Sequence, residues 1–185
     1  QFLQNKTFGS HSVPEGWLIA AAGNPPEYNK SVREFDIVTL DRVRRMDIEA
    51  DLDVWMEYAW KKEIHGSILA YLGMKKDHFY SVENTVDGKF FVTARGWEDL
   101  SEILKAYEEL GVEITENLIG EYLCRDEIAR SFFASYQLYR KYGEDYGLKR
   151  LLSGEMAEEE QQKKVKMAEG ASFEERFLVT GLLLS

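Results

Sequence analysis

Residues 16–30 read "GWLIAAAGNPPEYNK". Trp17-Leu18-Ile19-Ala20-Ala21-Ala22 is an unbroken apolar run, the length of a strand buried on both faces. Gly23 ends it, Asn24 follows, and Pro25-Pro26 cannot continue a hydrogen-bonded ladder. This reading gives a buried strand that delivers a single amide side chain at its tip. Ligands of open α/β sheets gather at the carboxyl ends of strands, so Asn24 is a candidate to donate to an anion or to orient a water. As a plain structural alternative, its side chain closes an Asx-turn at the start of the loop.

Outward from this stretch, "TFGSHSV" (7–13) reads as an extended segment or hairpin arm, and Ile37–Arg42 as a short turn or helix. "VRRMDIE" (43–49) reads as a second strand, with Val43, Met46 and Ile48 alternating imperfectly. From Asp51 onward the pattern turns helical. Asp51 suits an N-cap, and Leu52, Trp55, Met56 and Ala59 recur at helical spacing. A helix over about 66–74 follows, then two aromatic and β-branched runs around Asp87-Gly88 that predict a hairpin over 79–92. Thr93 caps a helix running to Leu110, with Trp97, Leu100, Leu104 and Tyr107 as its stripe and Gly111 as its stop. Further helices are expected at 115–123, 125–142 and 146–153. The stretch 154–170 is a solvated helix or linker, and a last helix ends in "FLVTGLLLS". The fold class is therefore α+β and mostly helical. Residues 1–50 form a sheet-containing part, 51–153 a helical domain with one hairpin, and 154–185 a charged linker and C-terminal helix.

Composition narrows the partners. The 185 residues carry a net charge of −10, which repels a phosphate backbone and excludes a nucleic-acid groove binder; Arg42, Arg44 and Arg45 are too compact to track one. The last apolar run falls short of the ~20 residues that span a bilayer, so no membrane partner is expected. The single cysteine, Cys124, allows no intrachain disulfide and points to a reducing, cytoplasmic setting. His11, His65 and His78 show no metal-ligand spacing, and Glu63-x-His65 is read as serving the dipole of the helix that ends there. No phosphate loop of the Gly-x-x-x-x-Gly-Lys-Ser/Thr type occurs, nor any Gly-x-Gly-x-x-Gly.

Two cationic features stand beside Asn24. "TLDRVRR" (39–45) concentrates Arg42, Arg44 and Arg45 in an acidic chain, with salt bridges to Asp36, Asp41 or Asp47 as the plain alternative. In "TARGWEDL" (93–100), Arg95 sits in the first turn of a helix, where a cation opposes the dipole by roughly 0.3–1 kcal/mol and a bound anion would offset it.

Taken in order, "AGNPPEY", "FDIVTLDRV" and "TARGWEDL" resemble the MoxR-like branch of the AAA+ ATPases over residues 13–110. Members of that family show a strand ending in Asn-Pro-x-Glu-Tyr, then Leu-Asp-Arg-Phe, then a Ser-Pro-Arg start to a lid helix. Here Val43 replaces the phenylalanine and Thr93-Ala94 the Ser-Pro; neither change removes a charged group. The resemblance implies that residues 1–50 are the C-terminal portion of an α/β core and 51–153 a helical lid. Asn24 then matches sensor 1, Arg42 an arginine finger reaching the neighbouring subunit, and Arg95 sensor 2. It also implies ATP and Mg²⁺ as cofactors of the full-length protein, a ring of subunits such as a hexamer, and a von Willebrand factor A-type partner. The Walker A loop and Walker B carboxylates are expected upstream of Gln1, so this chain alone is expected to be inactive. A non-catalytic α+β interaction module, with Tyr136, Tyr139, Tyr142 and Tyr146 as its partner surface, is the competing reading.

Overall fold

The computed structural model describes residues 5–23, 36–85 and 88–184. The protein is a mostly helical α+β chain whose described strands form two small antiparallel hairpins. It divides into two compact units, residues 1–49 and 50–185. Among the described residues no helix is long and apolar enough to cross a membrane.

In the first unit, β1 (Thr7–Phe8) pairs with β2 (His11–Ser12), Thr7 opposite Ser12 and Phe8 opposite His11. Gly9 makes the turn with a left-handed φ of 60°. Helix α1 (Ile37–Leu40) starts where the Asp36 carboxylate accepts the Thr39 N–H at 2.7 Å. The two longer strands expected from the sequence do not form. Residues 17–22 are not in a strand, and Leu18 is 91% exposed. Residues 43–49 are likewise outside any strand, with Met46 and Ile48 exposed. A strand needs a ladder partner, and the described backbone of this unit offers only the two-residue strands that already pair with each other. No parallel sheet occurs among the described residues.

The second unit follows its local signals closely. Helix α2 (Leu52–Lys61) begins at Asp51, whose carboxylate accepts the Val54 N–H at 3.0 Å. Trp55 and Ala59 are buried, with Leu52 and Met56 packed beside them. Helix α3 (Gly66–Met74) buries every residue from Gly66 to Leu72. After a 3₁₀ turn at Lys76–His78, β3 (Ser81–Thr85) pairs with β4 (Gly88–Val92) in the register Ser81 to Val92 through Thr85 to Gly88. Helix α4 (Ala94–Leu110) ends at Gly111, φ 67°. Helices α5 (Glu116–Tyr122), α6 (Asp126–Tyr146), α7 (Leu148–Leu152), α8 (Glu158–Gly170) and α9 (Phe173–Leu184) complete the chain.

An aromatic triad ties three helices together. Tyr71 of α3, Trp97 of α4 and Phe132 of α6 have ring centroids 5.3–5.8 Å apart, with Phe132 edge-on to both partners. All three are buried, and the Trp97 Nε1–H donates to the Phe79 carbonyl at 3.1 Å. Around the triad, Leu100, Leu104, Ile119, Leu123 and Ile68 complete one core.

Helix α9 seats on α3 and α6 through Phe177, Leu178 and Leu182 against Ala70, Met74 and Tyr139. The seat is close because of glycine: a Cβ at Gly181 would lie 2.9 Å from the Ala70 Cβ. The Ala70 methyl has no rotamer by which to move aside. Gly181→Val is therefore expected to destabilise the protein by about 1–3 kcal/mol, as overpacked cores do, read from chemical denaturation. In α6, by contrast, the buried Ser135 hydroxyl has no partner among the described residues. Ser135→Ala removes an unpaired buried oxygen and improves helix propensity, so the unfolding midpoint should rise by an amount corresponding to about 0.5–2 kcal/mol.

Candidate functional site

Arg95 stands in the first turn of α4, on a backbone fixed from several sides. The Thr93 hydroxyl accepts the Gly96 N–H at 3.2 Å, and the Thr93 carbonyl accepts from Trp97 at 3.1 Å. Trp97, two residues on, is locked in the triad, so Arg95 faces outward where its neighbour faces in. No acidic residue lies in this first turn. Glu98, the next carboxylate, accepts the Tyr58 hydroxyl at 2.7 Å. Among the described residues Arg95 has no ion pair.

Segment 122–125 braces this turn from the other side. A Cβ on Gly96 would lie 2.8 Å from the Tyr122 carbonyl oxygen, so the end of α5 rests directly on the start of α4. This also accounts for a cation in a position that the helix dipole disfavours. The carbonyl end of α5, the negative end of its own dipole, meets the positive end of α4. The Cys124 carbonyl accepts the Phe91 N–H at 3.1 Å, joining the segment to β4. Arg125 donates to the Ser81 hydroxyl and the Glu83 carboxylate, each at 2.6 Å.

Of the other two sequence candidates, one belongs to the first unit and one lies outside the described residues. Arg42 lies in the first unit just beyond α1; its guanidinium donates to the Val38 carbonyl, and the side chain is exposed. Its neighbour Arg45 pairs with Asp47 at 2.7 Å on the surface, the salt bridge weighed from the sequence. Asn24, the proposed sensor 1, lies outside the described residues. Arg42 and Arg95 belong to different units.

The most completely connected polar cluster was not foreseen. His65 does not serve the dipole of the helix before it: its Nδ1 accepts the Ser67 N–H at 3.2 Å and caps α3. Nδ1 also lies 2.7 Å from the Ser67 hydroxyl. The ring proton is thereby assigned to Nε2, which faces Glu108 Oε2 at 3.2 Å. Tyr136 donates to Glu108 Oε1 at 2.7 Å, and the His65 N–H donates to the Ser101 hydroxyl at 2.8 Å. The signal was a histidine directly before a nearly apolar helix, where an N-cap is required. Burial pushes the Glu108 carboxyl up, but the hydrogen bonds from His65 and from the Tyr136 hydroxyl outweigh it and hold the carboxyl below its ordinary value. Burial and the Glu108 partner together push the Tyr136 hydroxyl up.

Tyr136, Tyr139 and Tyr146 are buried and Tyr142 is half-buried against them, so this tyrosine stripe is core rather than an exposed partner surface. A shallow groove of about 310 Å³ borders it, lined in part by Glu113, Arg140 and Glu144; Arg95 is not among its lining residues. Among the described residues no group of three or more His, Cys, Asp or Glu side chains could hold a metal ion. Comparison of the chain with protein-family models, with curated proteins and with solved structures finds no match.

A carboxyl whose folded pKa is depressed stabilises the fold above its unfolded pKa and loses that contribution as pH falls through the folded value. Glu108→Gln should thus cost roughly 1–2 kcal/mol at pH 7, a charged hydrogen-bond value reduced because 36% of the side chain meets water. The gap between the variant and the parent should close as pH falls from about 5 towards 3, measured by urea denaturation across that range.

Proposed function

We propose that this chain is the sensor and lid portion of a MoxR-like AAA+ ATPase that couples ATP hydrolysis to remodelling of other proteins. The observation that supports this most directly is Arg95. It stands exposed and free of carboxylates on a capped helical turn, in the place where the family resemblance puts the sensor-2 arginine. The order of "AGNPPEY", "TLDRV" and "TARGWEDL" along the chain supports it independently. So does the helical character of residues 52–152, as a lid requires.

The residues present fit one part of the nucleotide. In the first turn of α4 Thr93 takes the Gly96 and Trp97 amides, which leaves those of Ala94 and Arg95, together with the Arg95 guanidinium, to suit phosphate oxygens. The described residues offer no carboxylate cluster for Mg²⁺, so no step is assigned through it. Bound ATP supplies the transferable phosphoryl group. In this reading Arg95 would donate to its phosphate oxygens and Asn24 would orient the attacking water. Arg42 reaches the nucleotide of the next subunit in a ring, where an arginine finger is worth about 10³–10⁵ in rate in other phosphoryl-transfer enzymes. Catalysis of this kind rests on position and charge, which is why three side chains from separate segments are enough to describe this chain's share.

In the full-length gene product, Asn24→Ala and Arg42→Ala should each lower ATP turnover by about 10²-fold or more while nucleotide binding is kept. Steady-state hydrolysis and equilibrium titration with a fluorescent ATP analogue separate the two quantities. Turnover unchanged in both variants would overturn the reading.

A further inference from the structure

The sensor-and-lid reading leaves Gly96 without a role, although it directly follows Arg95. The structure gives it one. With a Cβ at residue 96 only 2.8 Å from the Tyr122 carbonyl oxygen, no residue but glycine fits there without a shift of backbone. The φ of Gly96 is not the reason, since it lies inside a right-handed helix. The reason is close approach, and the atom approached cannot yield. Leu123 is wholly buried, Cys124 is bonded to β4 through its carbonyl, and Arg125 is held by Ser81 and Glu83. On the other side Trp97 is held by its rings and by its indole hydrogen bond. The first turn of α4 is therefore gripped between a braced carbonyl and a locked indole, and Arg95 leaves from within that grip.

We infer that Gly96 is the positioning residue of Arg95. Its contact with the Tyr122 carbonyl sets the direction and depth at which the guanidinium is presented, and a side chain at 96 misplaces it. This inference rests on the reading of Arg95 as a phosphate-contacting arginine. A displacement of about 1 Å at a reacting group can cost roughly 10²-fold in rate, and relief of a 2.8 Å contact demands a movement of several tenths of an ångström or more.

The test is a double-mutant cycle on ATP turnover in the full-length gene product, with Arg95→Ala, Gly96→Ala and the pair assayed well below their unfolding temperatures. Expected are a drop in kcat of about 10–100-fold for each single variant and no further drop for the pair, because a misplaced arginine and a missing one are the same loss. Thr93→Val, which removes the capping hydroxyl and keeps the volume, serves as the second and milder variant. It should show the same non-additivity with Arg95→Ala even if Gly96→Ala fails to fold. Should Arg95→Ala lower turnover while Gly96→Ala has no effect, or should the losses multiply in the pairs, Gly96 acts only on stability and the inference falls while the ATPase reading stands. Unchanged turnover in Arg95→Ala would overturn both.

Discussion

A helix buried on every side cannot leave its first amides to water, and that constraint organises the larger unit of this protein. Helix α3 is such an element, with seven successive buried residues from Gly66 to Leu72. An unpaired N–H there would cost about 1–3 kcal/mol. The chain meets the need with His65, an unusual cap, because a short serine or aspartate side chain would satisfy the amide without linking anything else. The imidazole reaches the amide with one nitrogen and the Glu108 carboxylate with the other. Capping α3 and joining it to α4 and α6 are thus one event. Glu108 in turn receives the Tyr136 hydroxyl, so a partly buried polar path runs between the three helices that also share the Tyr71, Trp97 and Phe132 triad. Apolar contact and polar satisfaction hold the same three elements, which gives the packing a single arrangement.

What could be read from the sequence was local. Asp51 and Thr93 are caps because their own oxygens meet amides three residues on, a relation the sequence states outright. The Trp97, Leu100, Leu104 and Tyr107 stripe is read from spacing alone; its first three members are buried and Tyr107 packs partly buried against the same core. Gly111 and the pairing of β3 with β4 belong to the same class of signal. The His65 network joins residues more than forty positions apart, and Gly96 owes its identity to a carbonyl from another helix. No window of sequence contains either relation. The apolar run at 17–22 shows the opposite failure. Its composition suits a buried strand, but composition does not name the neighbouring strand, and among the described residues the run pairs with none and is mostly exposed.

The candidate site shows the same division. Arg95 was legible as an oddity, a cation where the helix dipole disfavours it. Its setting was not: the carbonyl end of α5 already stands against that turn and eases the repulsion. Part of what looked like an appeal for a bound anion is therefore answered within the protein. The remaining case for Arg95 is its freedom from carboxylates and the rigidity of the turn that carries it. Arg42 has the converse character, an exposed guanidinium just past a four-residue helix, donating back to a carbonyl of that helix.

The closing segment of the chain is fastened by two different kinds of force. Helix α9 sits on Ala70, Met74 and Tyr139 by apolar contact. Helix α8, which leads to it, buries none of its residues and is held by Arg150 to Glu160 and by Lys164 to the Asp145 carbonyl. Ionic strength acts on exposed charge pairs and leaves apolar seats intact or tighter. Temperature and pressure act chiefly on the seat. The connecting rod therefore answers chiefly to salt and the plug at its end chiefly to temperature and pressure, with Ala168 on the Tyr146 cluster and Glu175 on the Tyr146 hydroxyl as the lesser ties of each.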